Sequence, residues 1–257
     1  MEIHPKAIVH PGAKLAAGVK IGAFSTIGED VRIGPDTIIG SHVVVEGWTE
    51  IGEKCHIFPF SSIGAAPQAI RYHGEPTRLV IGDRNVVREF VTINRGTPEG
   101  GGVTTVGSGN LIMAYSHIAH DCKIGNQVIL ANSSTLAGHI AVEDCAIVGG
   151  VVAIHQFVRV GCYAIIGGAS AIPQDIPPYM TASGNRAKLF GLNLVGLKRH
   201  RFSETTISSL KQAYRILFRS HLPLRKAMER VEKEIPDLPE IRHLLEFLQN
   251  SKRGICR

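Results

Sequence analysis

Residues 21 to 40 read IGAFSTIGEDVRIGPDTIIG, with an isoleucine opening each six-residue unit at Ile21, Ile27, Ile33 and Ile39 and a glycine after each. Counting outward in sixes, every position from Ile3 to Ile63 is Ile, Val or Leu. The rhythm returns at Ile81, Val87 and Ile93, slips by one residue, and runs unbroken from Val106 to Ile172. A period of six fits neither a helix at 3.6 nor a simple alternating strand. It fits a solenoid with short strands for sides, in which one aliphatic per hexad fills a narrow interior and small residues turn the corners. Three hexads close a triangular coil of about 18 residues, rising about 4.8 Å, the spacing of neighbouring strands. The expected fold class is therefore mainly β, a parallel β-helix.

Two stretches break the rhythm, residues 64–80 and 94–105, both rich in Gly, Pro and polar residues. They are expected as loops extruded from the coil, where repeat proteins tend to collect binding residues. After Ile172 the segment PQDIPPYMTASGN ends the repeat. Apolar residues at helical spacing follow over 203–220, with Ser203 as N-cap, and again over 224–235 and 239–250. The division expected is a β-helix over 1–186 and a C-terminal helical domain over 187–257. Charge divides too: from residue 173 onward 16 Lys and Arg face 8 Asp and Glu, while the first 172 residues carry 12 against 14. A basic helical appendage suits an acidic partner; no nucleic-acid motif or aromatic interleaving accompanies it.

The repeat also decides how YSHIAHDC, residues 115–122, is read. Hexads 18 apart stack, so those beginning at Ile118, Leu136 and Ile154 lie above one another. His117, His120, His139 and His155, four of the twelve histidines, gather on one side. Three converging imidazoles would hold zinc. An imidazole beside a carboxylate, as in His120-Asp121, would instead serve acid–base chemistry near neutral pH. A non-enzymatic scaffold is the third reading. Neighbours on a straight strand face opposite ways, so contact between His120 and Asp121 requires a bend at this corner.

The bulk composition excludes other classes. With 44% hydrophobic and 19% charged residues the chain is globular. It has no apolar run long enough to span a bilayer, and MEIHPKAIVHPG lacks the features of a signal peptide, so a cytoplasmic location is expected. The five cysteines form no CxxC and read as small reduced hydrophobes, not a disulfide framework or a structural zinc site.

The hexad pattern resembles that of the hexapeptide-repeat acyltransferases, which implies a left-handed parallel β-helix. YSHIAHDC (115–122), LAGH (136–139), IHQF (154–157), YHGEPTRLVIG (72–82) and GLNLVGLKRHRF (191–202) sharpen the likeness to the UDP-N-acetylglucosamine O-acyltransferases, over essentially the whole chain. That resemblance implies transfer of an (R)-3-hydroxyacyl chain from acyl carrier protein to the 3-position of a UDP-sugar acceptor in lipid A synthesis. It implies a homotrimer with sites between subunits, and no metal or other cofactor. His120 matches the general base, Asp121 the carboxylate orienting it, and Gly138 the oxyanion donor. His117 and His139 match sugar contacts; His155, Gln156, Asn193 and Arg199 match nucleotide contacts; Gly168 matches a position that sets acyl-chain length. There are departures. Ala69 and Arg71 replace an aspartate and a lysine in the first loop, which raises a 3-amino sugar as the acceptor, and Val195 and His200 replace an acid and an arginine.

Overall fold

The computed structural model describes residues 1–257. Short strands form three sheets of 11, 9 and 8 strands, and the chain visits the first, second and third sheet in turn on every coil. Pairing is parallel and in register, with Ile118 beside Leu136 and Leu136 beside Ile154. The hexad aliphatics point inward: Ile27, Ile57, Ile93, Ile118, Leu136 and Val160 are all within 1% of complete burial. Isoleucine and valine suit the role because their branched side chains fill a pleated, fully enclosed interior.

The glycines that follow these aliphatics do not turn the corners as the pattern suggested. A Cβ on Gly22 would stand 2.7 Å from the carbonyl carbon of Gly40 in the next coil, so close stacking selects glycine there. The left-handed turn falls two residues later and is made by ordinary side chains such as Phe24, Asp36, His42, Lys54 and Phe60. Each costs about 1–2 kcal/mol of backbone strain, which the coil above and below offsets by stacking. Along the corner between the first and second sheets, the rings of Phe24, His42, Phe60, Phe90 and Tyr115 stack at 4.8 to 5.1 Å.

Both extruded loops are narrower than the sequence suggested. Ser62–Ala65 and Arg78–Ile81 are strands, leaving 66–77 as the first loop; Thr92–Asn94 and Val103–Val106 are strands, leaving 95–102 as the second. The hexad register predicts only one inward residue per unit, so it could not see that the strands flanking the loops lengthen to three or four residues by pairing with each other. Near residue 186 the chain makes a hairpin, Met180–Ser183 antiparallel to Lys188–Leu192. The hairpin extends the first sheet and crosses the expected division of the chain.

Four helices follow: α1 (Leu194–Arg199), α2 (Glu204–Arg219), α3 (Leu224–Glu234) and α4 (Pro239–Gln249). Ser203 caps α2 by accepting the Thr206 N–H. The short α1 was not expected; Asn193 caps it. Their apolar stripes join a core continuous with the β-helix through Ile207, Leu210, Leu217, Leu244 and Phe247.

Candidate active site

The corner joining the second sheet to the third carries, in successive coils, the first loop (66–77), the second loop (95–102) and then His120 and Asp121. Asp121 adopts φ +61°, the bend that brings its carboxylate back to its neighbour. The His120 Nδ1 lies 2.7 Å from Asp121 Oδ2. The second loop closes over the carboxylate. Thr97 donates its amide to Oδ1 at 2.9 Å and its hydroxyl to Oδ2 at 2.6 Å, and the Asp121 N–H donates to Thr104 Oγ1 at 2.8 Å. Thr97 also caps the 3-10 turn Pro98–Gly100. A Cβ on Gly100 would overlap the Asp121 carboxyl group, so only glycine lets the loop lie this close.

These contacts bury the Asp121 side chain to 1% exposure while His120 keeps 17%. The imidazole thus has one nitrogen tied to a buried carboxylate. Its other nitrogen, Nε2, makes no hydrogen bond within the chain and borders Gly138, where a Cβ would stand 2.8 Å from it. The Gly138 N–H likewise donates to nothing in the protein. A fixed base and a free backbone donor side by side can remove a hydroxyl proton and stabilise an oxyanion.

His139 occupies the Asp121 position one coil on, at φ +61°. Its ring meets that of His120 edge-on at 5.1 Å and stacks on Phe157 at 4.5 Å; its Nδ1 is 3.8 Å from Asp121 Oδ2. Burial holds its pKa below the ordinary imidazole value, with the nearby His120 adding to the effect against the attraction of Asp121. His117, on the adjoining strand, pairs Nδ1 with Thr92 Oγ1 at 2.7 Å, and burial, then His120, lowers its pKa too. Both rings are therefore neutral hydrogen-bonding groups at pH 7.

His120, Asp121 and His139 have ligand atoms within 4.8 Å of one another, as do Glu143, Cys162 and His243 elsewhere. The three-imidazole arrangement that the zinc reading required is not assembled at the first cluster. Its His117 is turned to Thr92, and His155 shares Nδ1 with the Arg253 guanidinium at 3.1 Å.

The remaining residues singled out in the sequence are brought to other parts of the chain. His155 and Gln156 are exposed beside the C-terminal segment. Gly168 is exposed at the corner between the first and second sheets, its nearest neighbour the Gly150 carbonyl. Asn193 is engaged at the start of α1, donating to Tyr163 O and accepting from Gly196 N, both at 2.9 Å. Arg199 is exposed on α1, and Arg71 at the end of the first loop. Sequence reasoning missed Thr97, Thr104 and Gly100. It also missed a cleft of about 630 Å³ beside His139, walled by Phe157 and by Lys123, Arg159, Lys252 and Arg253. Lys123, Arg159 and the adjacent pair Lys252 and Arg253 lie far apart in sequence, so no local charge run announces the cleft.

The C-terminal part, residues 175–256, matches the family model described as UDP-N-acetylglucosamine O-acyltransferase, domain 2, and residues 12–47 and 104–138 match the bacterial transferase hexapeptide model. An acyl-[acyl-carrier-protein]–UDP-N-acetylglucosamine O-acyltransferase of Thermodesulfovibrio yellowstonii is 58% identical over 217 residues, 84% of each chain. The chain belongs to the UDP-N-acetylglucosamine O-acyltransferase family. Solved structures agree. The enzyme of Acinetobacter baumannii superposes with TM-score 0.96 at 44% identity over 99% of both chains. That of Moraxella catarrhalis gives 0.97 at 43% over the full length of both. Family membership thus covers the whole solenoid and the helices behind it, including the hairpin that joins them.

Proposed function

We propose that this acyltransferase moves an (R)-3-hydroxyacyl group from acyl carrier protein to the 3-position of UDP-N-acetylglucosamine, in the synthesis of lipid A. The observation that carries the reading is the 2.7 Å contact of His120 Nδ1 with the buried Asp121, which leaves Nε2 as the only proton acceptor of that ring. Nε2 takes the proton of the sugar hydroxyl as its oxygen attacks the thioester carbon. Asp121 stabilises the imidazolium that forms, and the Gly138 N–H donates to the carbonyl oxygen as it gains charge. Collapse of the tetrahedral intermediate breaks the C–S bond, and the proton held by His120 passes to the departing thiolate. His117 and His139, neutral and beside His120, suit the remaining sugar hydroxyls.

A homotrimer completes the proposal. Arg71, Gly168, Asn193 and Arg199 are distributed over different corners of one chain, as residues facing a shared cleft between copies would be. The basic C-terminal segment from residue 173 suits an acidic carrier protein. No helix is long and apolar enough to cross a membrane, and all five cysteines are free; a cytoplasmic enzyme fits both.

His120→Ala is the test. Loss of acyl transfer by on the order of 10²-fold or more, with folding intact, is expected when a general base is removed; unchanged transfer would remove His120 from the role of base. Because Ala69 offers no carboxylate, the 3-amino analogue of the acceptor is compared in the same assay. Clear preference for the hydroxyl sugar would end the amino-sugar reading.

A further inference from the structure

The corner between the third and first sheets carries a second cluster of chemically active side chains. Glu143 follows strand Ala141–Val142, Cys162 follows Arg159–Val160 one coil on, and α4 lays His243 across both. His243 Nε2 is 2.8 Å from Glu143 Oε2, and the same oxygen accepts the Cys162 N–H at 2.9 Å. The Cys162 thiol completes the group, with the three ligand atoms within 4.8 Å of one another. Tyr179 closes one side, its ring 6.4 Å from that of His243 and nearly perpendicular to it. The carboxylate and the imidazole keep 26% and 37% of their surface in solvent, so an ion can enter.

One thiol, one imidazole and one carboxylate form a donor set suited to zinc, with bonds of about 2.3, 2.1 and 2.1 Å; the thiol disfavours magnesium and calcium, which take oxygen ligands. Around a tetrahedral ion such ligands stand roughly 3.4–3.7 Å apart, given those bond lengths. All three ligand atoms lie within 4.8 Å of one another, so small side-chain movements suffice, with Glu143 and His243 parting from 2.8 Å. An ion pair alone would explain the glutamate and the histidine; the Cys162 thiol, which already interacts with His243, adds a soft third ligand to that pair.

We propose that Glu143, Cys162 and His243 form a binding site for a thiophilic divalent cation, zinc foremost, which clips α4 to the solenoid away from the acyl-transfer corner. On loading, Cys162 releases its thiol proton and His243 the proton it shares with Glu143, both to solvent, and the ion leaves one coordination position for water. Arg159 already ties α4 to the solenoid here by donating to the Phe247 carbonyl at 3.3 Å, and the ion adds a second tie whose stabilisation grows with its occupancy.

The test titrates the chelator-stripped full-length protein with cobalt(II), then zinc(II). One cobalt per chain with a near-ultraviolet thiolate charge-transfer band, displaced by zinc, is expected. Cys162→Ser, which keeps the backbone bond to Glu143, loses the band; His243→Ala weakens binding by on the order of 10²-fold or more. Cys145→Ala and His120→Ala retain it, separating this site from the other exposed thiol and from the acyl-transfer histidine. Zinc raises the thermal midpoint of the unmodified protein but not of Cys162→Ser. Absence of the band in the unmodified protein, or equal affinity in Cys162→Ser, overturns the proposal.

Discussion

Thr97 holds Asp121 from both ends, its amide on Oδ1 and its hydroxyl on Oδ2. The second of these oxygens also faces the imidazole of His120, so in the proposed mechanism Thr97 of the second loop positions the base through Asp121. Thr97→Val removes one charge-assisted hydrogen bond of about 1.5–3 kcal/mol and lets the carboxylate rotate away from His120. A fall of about tenfold or more in kcat is expected, with KM for the UDP-sugar little changed and near-full rescue by Thr97→Ser. Steady-state kinetics of the two variants check it; a Thr97→Ser as impaired as Thr97→Val would mean that the loop is merely misfolded.

Gly138 serves the same ring from the opposite side. A methyl group there would stand 2.6 Å from His120 Cε1, inside any tolerable contact, so Gly138→Ala must displace the imidazole. It is expected to abolish transfer while costing only about 1–3 kcal/mol of stability, because the ring is partly exposed and can swing out. Activity and urea unfolding of the one variant distinguish loss of the site from loss of the fold.

How much of this the sequence revealed follows from the distances involved. Inward aliphatics recur every six residues, so Ile118, Leu136 and Ile154 announce both the coil and the gathering of His120 and His139 on one side of it. The Asp121 turn was only a requirement, because aspartate tolerates the left-handed region that its +61° φ occupies but does not by itself specify it. Thr97 reaches Asp121 from 24 residues away, out of a loop whose letters show only flexibility. Glu143 and His243 are 100 residues apart; no motif spacing links them, and Cys162 read as one more small hydrophobe. Contacts within the repeat are legible, and contacts between the repeat and what is inserted or appended to it are not.

The lowered pKa values of His117 and His139 set an acid limit on stability. Each imidazole binds its proton less readily folded than unfolded, so just below the ordinary value near 6.5 the unfolded chain holds more protons. Their contribution is complete above that value and is lost as pH falls through the window beneath it. The urea midpoint of the unmodified protein should therefore drop between pH 7 and pH 5, and His117→Gln should flatten the drop. An identical slope in both would remove His117 from the account.

Ile70 and Arg71 stand at the end of a loop that is held, not loose. Arg95 reaches under it, donating to the Tyr72 hydroxyl at 2.8 Å and to the Gly64 carbonyl at 2.8 Å, so the loop presents its tip in one place. There Ile70 is fully exposed, an apolar side chain of a kind that loses free energy in water and gains it against a partner surface. The tip projects from the same corner as His120, so a second copy seated against it would bring Arg71 toward that copy's acceptor. Ile70→Asp is expected to shift the proposed trimer toward monomer at micromolar concentration, with activity falling in step on dilution. Arg71→Ala, by contrast, should leave assembly intact and raise KM for the UDP-sugar several-fold, since it removes a charge proposed to face the acceptor and no apolar surface from the interface. Light scattering coupled to gel filtration, run beside the kinetics, separates the two roles; a trimeric, fully active Ile70→Asp would mean that the tip faces solvent.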